Sequence, residues 1–125
     1  MVVLVMTHNM QHLLIIGAFT DPYIDDLFDW LTGWGLTSVE DALQVGAFIE
    51  EYDILDIWTA YDQTDESQIQ EVYQSLYEGS YNHLASFVYN YELICSDYEI
   101  QLLSQAEFDA VLCFETDARQ THGDK

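Results

Sequence analysis

Positive charge is almost absent from this sequence. Two residues are basic against 23 acidic, for a formal net charge of −21. Both bases, Arg119 and Lys125, fall after residue 118. A chain without a basic patch has no footprint for a phosphate backbone, which excludes nucleic-acid binding. Attraction to an anionic membrane surface is disfavoured for the same reason. The expected charged partners are cations or basic protein surfaces. No acid before residue 119 can be neutralised by Lys or Arg, so self-repulsion works against compaction. Added salt or divalent cations should relieve it, and a salt-rich setting would suit such a chain.

Other scarcities narrow the reading further. Two cysteines, Cys95 and Cys113, make no disulfide framework and match no zinc spacing. They read as two small core residues. The apolar run Val2 to Ile16 is broken by Thr7, His8, Asn9, Gln11 and His12, so it is too short and too polar to span a bilayer. It also lacks the basic start and small-residue cleavage site of a signal peptide. There is no low-complexity segment, internal repeat, phosphate loop, dinucleotide-type glycine pattern or nucleophile elbow. The compartment is left open.

What is present is core material: half of the residues are hydrophobic and 14% are aromatic. That suffices for one domain in 125 residues. The punctuation is helical. Val2 to Ile16 reads as a buried helix ending at Gly17. Thr20-Asp21-Pro22 reads as a cap with proline in the first turn, opening a short helix over Tyr23–Leu31 that stops at Gly33 and Gly35. Ser38 with Asp41 caps a long helix over Val39–Tyr61. After a turn of two or three residues a second long helix runs from Asp65 to Ile94. Its stripe of Ile69, Val72, Tyr73, Leu76, Ser80, His83, Leu84, Phe87, Val88 and Tyr91 predicts one continuous inward face. Ser104 caps a last short helix to Cys113, and a mobile tail over residues 115–125 follows a domain of residues 1–114. The expected class is all-α, with two long antiparallel helices at the centre.

Three features point to chemistry. Glu50 and Asp53 stand three apart on a helix and share a face. The residues around Glu50 are Leu43, Gly46, Ala47 and Ile54, and a carboxylate there is costly unless paired. With no Lys or Arg to hand, a metal ion is the evident counter-charge, and a solvated face is the plain alternative. His83 stands on the inward stripe, as a ligand or as a hydrogen-bonded core residue. His8 and His12, four apart, could chelate one ion from a helix.

The runs GAFTDPYIDDLFDWL, SVEDALQVGAFIEEYDILDI, IQEVYQSLYEGSYNHLASFV and YEIQLLSQAEFDAVL, from Gly17 to Leu112, resemble an uncharacterised family of bacterial and archaeal ferritin-like proteins. The resemblance implies a four-helix bundle with inward Glu, Asp and His side chains at a two-metal site. Such bundles draw a Glu from each of two helices and a Glu-x-x-His from each of the other two. Glu50 and Asp53 match the third-helix carboxylates, and His83 matches the fourth-helix histidine. The chain departs from the pattern in several places. The family's first helix has no counterpart, Val5 stands where a second-helix Glu is expected although His8 is in place, and Tyr81 and Ala85 replace flanking arginines. The chain therefore resembles a truncated or diverged member.

Two functions compete on this reading. One is a ferritin-like metal binder using Glu50, Asp53, His83 and His8, a donor set suited to iron, manganese or zinc. The other is a non-catalytic, self-assembling protein that keeps the fold and has lost the site. A diffuse acidic cation binder is a third, weaker reading, since no EF-hand loop is present. A core short of one helix predicts a homo-oligomer. Glu50 is expected opposite position 77 of the partner helix, with His83 about one and a half turns away.

Overall fold

The structure is a computed structural model that describes the backbone of residues 2–6, 12–16 and 18–122, and the side chains of residues 18–117. Its elements are β1 (Val2–Met6), β2 (His12–Ile16), α1 (Pro22–Gly35), α2 (Val39–Asp62), α3 (Ser67–Ile94) and α4 (Gln105–His122). Among the described residues from Pro22 onward the regular elements are all helices, four in number, as the punctuation implies.

The N-terminal segment corrects the sequence reading. Val2–Met6 and His12–Ile16 are not helical. They pair antiparallel, Val2 opposite Ile16 and Met6 opposite His12. The runs VVLVM and HLLII are rich in β-branched residues that suit a pleated surface, and short apolar runs do not distinguish strand from helix by period.

The helix starts follow from local chemistry. Asp21 accepts the backbone N–H of Tyr23 at 2.8 Å, with Pro22 in the first turn of α1. Ser38 accepts the Asp41 N–H at 3.0 Å and donates its hydroxyl to the Asp41 carboxylate at 2.7 Å. Trp34 adds its indole N–H to the same carboxylate, tying the end of α1 to the start of α2. These contacts hold the Asp41 carboxyl below its usual range. Before α4, Ser104 and Glu107 form a capping box: Glu107 accepts the Ser104 N–H and Ser104 accepts the Glu107 N–H.

Three boundaries differ from expectation. α1 continues through Gly33, with Trp30 and Trp34 both meeting the Phe48 ring of α2 edge-on. The α2–α3 connection is four residues, Gln63–Glu66. α4 runs past Cys113 to His122, since no Gly or Pro interrupts residues 105–122 and Glu115 is buried within that stretch.

The core lies between α2 and α3 and is closed by α4 and the loop before it. Ala47 and Ile54 of α2, Leu84 and Val88 of α3, Tyr98 and Leu103 of the loop, and Val111 of α4 are all buried. Gly46 permits the Phe87 ring to lie against α2, where a Cβ would collide with it. Trp58 donates its indole N–H to the Tyr81 hydroxyl at 2.9 Å, and Gln44 bonds the Tyr91 hydroxyl at the same distance.

The single inward stripe expected on α3 divides. Ser80, Leu84, Val88 and Tyr91 are buried, whereas Ile69, Val72, Leu76 and His83 are exposed. α1 packs on α2 and α4 packs on α3. The Ile69–Val72–Leu76–His83 row, at helical spacing, stays open among the described residues. Cys95 and Cys113 are exposed and unpaired, not core residues.

Candidate functional site

Near the middle of α2, Glu50 faces His83 of α3. Glu50 Oε1 and His83 Nδ1 are 3.3 Å apart. The carboxylate is mostly covered, with 13% of its side chain accessible, while the imidazole is 62% accessible. Together with Leu43, Ser86, Phe87 and Asn90 they line a pocket of about 400 Å³. Burial pushes the Glu50 carboxyl above its ordinary value, and the nearby Asp53 charge adds to that. The Ser80 hydroxyl and the His83 imidazole pull it partly back.

The helix register explains the meeting. Phe87 packs against Gly46, and Trp58 meets Tyr81. The register set by the Gly46–Phe87 contact places position 83, not 77, opposite Glu50. The gap of one and a half turns expected from the sequence is thereby closed.

Asp53 lies elsewhere. It lines a second opening, between α1 and α2, together with Asp56. Partial burial raises its carboxyl, and Asp56 raises it further. The Glu50/Asp53 pair is thus divided between two openings on adjoining sides of α2. His8 falls outside the described residues. His12 stands on β2, so the helical i, i+4 geometry proposed for His8 and His12 does not apply. No cluster of three or more His, Cys, Asp or Glu side chains that could hold a metal occurs among the described residues. Glu50 and His83 together offer two donors. Among the described residues, two donors suit at most one ion with open positions.

A carboxylate that the sequence reading passed over is the most buried acid of the chain. Glu51 has no accessible surface. It accepts the Tyr98 hydroxyl at 2.7 Å and the backbone N–H groups of Gln101, Leu102 and Leu103 at 3.1, 2.6 and 2.9 Å. Burial drives the Tyr98 phenol far above its usual range. The signal was present: Ala47, Glu51, Ile54 and Trp58 follow the core stripe of α2. With every oxygen engaged, Glu51 anchors the loop that delivers α4 and has no capacity left for a ligand.

A model for an uncharacterised protein domain, DUF2202, matches residues 5–115. The chain belongs to this family. Uncharacterised protein MJ0754 of Methanocaldococcus jannaschii is 36% identical over 102 residues, covering 82% of this chain and 55% of that protein. The crystal structure of hypothetical protein MJ0754 superposes with a TM-score of 0.74 over 79% of this chain and 57% of the solved one. The chain spans little more than half the length of this relative. No helix among the described residues is long and apolar enough to cross a membrane.

Proposed function

We propose that this protein is a ferritin-like helical bundle that works by self-association through its open α2–α3 face, with a divalent cation held where Glu50 and His83 of neighbouring copies meet. The observation that carries the reading is the juxtaposition on one face of an apolar row and a carboxylate–imidazole pair. Ile69, Val72 and Leu76 are 45%, 57% and 51% exposed and lead along α3 to His83 and its partner Glu50. An apolar row of this kind on a helix suits packing against further helices.

Two-fold pairing brings two copies of the same face together and doubles the donor set from two to four, a number suited to manganese, iron or zinc. The cation also offsets the repulsion between two chains of charge −21. When bound, the metal would supply a positive counter-charge to Glu50. This reading assigns no catalytic reaction to the chain.

The test is light scattering at micromolar concentration in moderate salt, with chelator and with added Zn²⁺ or Mn²⁺. Association should strengthen with metal, lose its metal dependence in Glu50→Ala and His83→Ala, and vanish in Leu76→Asp. A monomeric mass under both conditions would count decisively against the proposal.

A further inference from the structure

The second opening carries a different inference, independent of the α2–α3 face. α1 and α2 form an antiparallel hairpin, and the groove between them encloses about 600 Å³. One wall is Ile24, Leu27 and Leu31; the other is Val45, Phe48 and Ile49. Both walls recur at steps of three and four, the spacing of a helical seam. On α2 the lining runs from Ala42 to Asp56, which spans about 21 Å at the rise of an α-helix. An apolar trough of that length between two helices can receive a third helix.

Charge then narrows the occupant. The only acidic side chains lining the trough are Asp53 and Asp56, one turn apart at the end where α1 begins. No lysine or arginine precedes residue 119. Another copy of α1, α2 or α3 laid in this groove would therefore set acid against acid. We infer that the α1–α2 groove is a docking site for an amphipathic helix of a different protein, with an apolar face of about four turns and a basic residue or two opposite Asp53 and Asp56. The apolar walls supply the contact, and the two carboxylates fix the direction in which the helix lies.

The probe is a fluorescently labelled 16-residue amphipathic peptide with leucines at i, i+3, i+4 and i+7 spacing and two lysines at one end. Its binding to the full chain is followed by anisotropy in moderate salt. Two control peptides accompany it: one of the same composition in scrambled order, and one with both lysines changed to glutamate. The patterned basic peptide should bind. The scrambled and acidic peptides should bind at least tenfold more weakly. Asp53→Asn with Asp56→Asn should weaken binding about tenfold. Ile49→Glu, at a half-open position of the groove, should weaken it at least as much. Glu71→Gln with Glu78→Gln, on α3, should leave it unchanged, and circular dichroism verifies that each variant keeps its helices. Equal binding of the scrambled peptide, or equal loss in the α3 pair, would overturn the inference, because attraction to a uniformly acidic surface would then account for the data. Absence of binding by the patterned peptide to the full chain, as when the chain's own residues 1–17 occupy the groove, would overturn it too.

Discussion

The Glu51 carboxylate and the Tyr98 hydroxyl meet at 2.7 Å in the interior, 47 residues apart in sequence. The same carboxylate collects three successive backbone N–H groups from residues 101–103. One side chain of α2 thereby fixes the turn that precedes Ser104 and hence the start of α4. A buried carboxylate without a cationic partner is normally costly, and four donors on one group are what make it tolerable here.

Replacing Glu51 by Ala is expected to cost about 3 kcal/mol or more, because it orphans several buried donors at once. Tyr98→Phe removes one donor and leaves the backbone cradle intact, so its cost is expected near 1 kcal/mol. Urea unfolding at fixed pH measures both. The two substitutions share a hydrogen bond, so the double variant should be less destabilised than the two effects added together.

How much of this was legible in the sequence depends on how local the cause is. The caps at Asp21, Ser38 and Ser104 act within three residues, and each can be read directly. The long helices α2 and α3 follow from unbroken 3.6-residue periodicity. The role of Glu51 is not local, since its donors lie about 50 residues away, and the doublet Glu50-Glu51 gives no hint which acid faces in unless the Ala47–Ile54 stripe is followed through it. The α3 stripe shows a related limit. Periodicity identifies an apolar face but not which part of it finds a neighbour, so Leu84 is buried and Leu76 is not. The meeting of Glu50 and His83 depends on the packing register between α2 and α3, which the periodicity of either helix alone does not set, and the strands of the N-terminal segment depended on a short apolar run that period alone does not resolve.

The division of that stripe sets a paired expectation. Leu84→Ala, at a position with no accessible surface, should destabilise the fold by about 2–5 kcal/mol. Leu76→Ala, at a position that is 51% exposed, should cost less than about 1 kcal/mol when measured under conditions where the chain is monomeric. Chemical denaturation of both variants checks this, and equal losses would mean that α3 is turned differently on its axis.

Acidity should separate two sets of carboxylates. Asp53 and Glu50 are raised in the fold, mainly by burial, from ordinary values of 3.8 and 4.5. For a raised carboxyl the folded state holds its proton more tightly than the unfolded state. Its stabilising contribution is complete below the ordinary value and is lost as pH climbs through the raised one. Asp41 and Glu107 are lowered by their capping contacts, so theirs is present above the ordinary value and is lost as pH falls through the lowered one. Asp53→Asn and Glu50→Gln should therefore gain stability relative to the parent as pH rises from about 4 toward neutrality in the presence of chelator. Melting temperatures across that range, with chelator present, provide the measurement. A constant offset between parent and variant would show that neither carboxyl is perturbed by folding.

Salt provides the broadest expectation, because it acts on the whole charge distribution. The chain carries 23 acids and two bases, so folding concentrates like charges that the unfolded chain holds farther apart. Exposed charges interact across about 10 Å at 0.1 M ionic strength and across about 3 Å at 1 M. Raising salt through that range removes most of the repulsion. It removes little attraction, because the described part of the chain has no Lys or Arg ion pair before residue 119 to weaken. The melting temperature should accordingly rise steeply between low salt and 1 M NaCl. A salt that screens without strengthening apolar burial isolates the charge effect, since sulfate would stabilise by exclusion as well. Magnesium at millimolar concentration should achieve part of the same rise at far lower ionic strength, by direct association with the carboxylates. A melting temperature that stays level from 20 mM to 1 M NaCl would mean that self-repulsion contributes nothing measurable to the stability of this bundle.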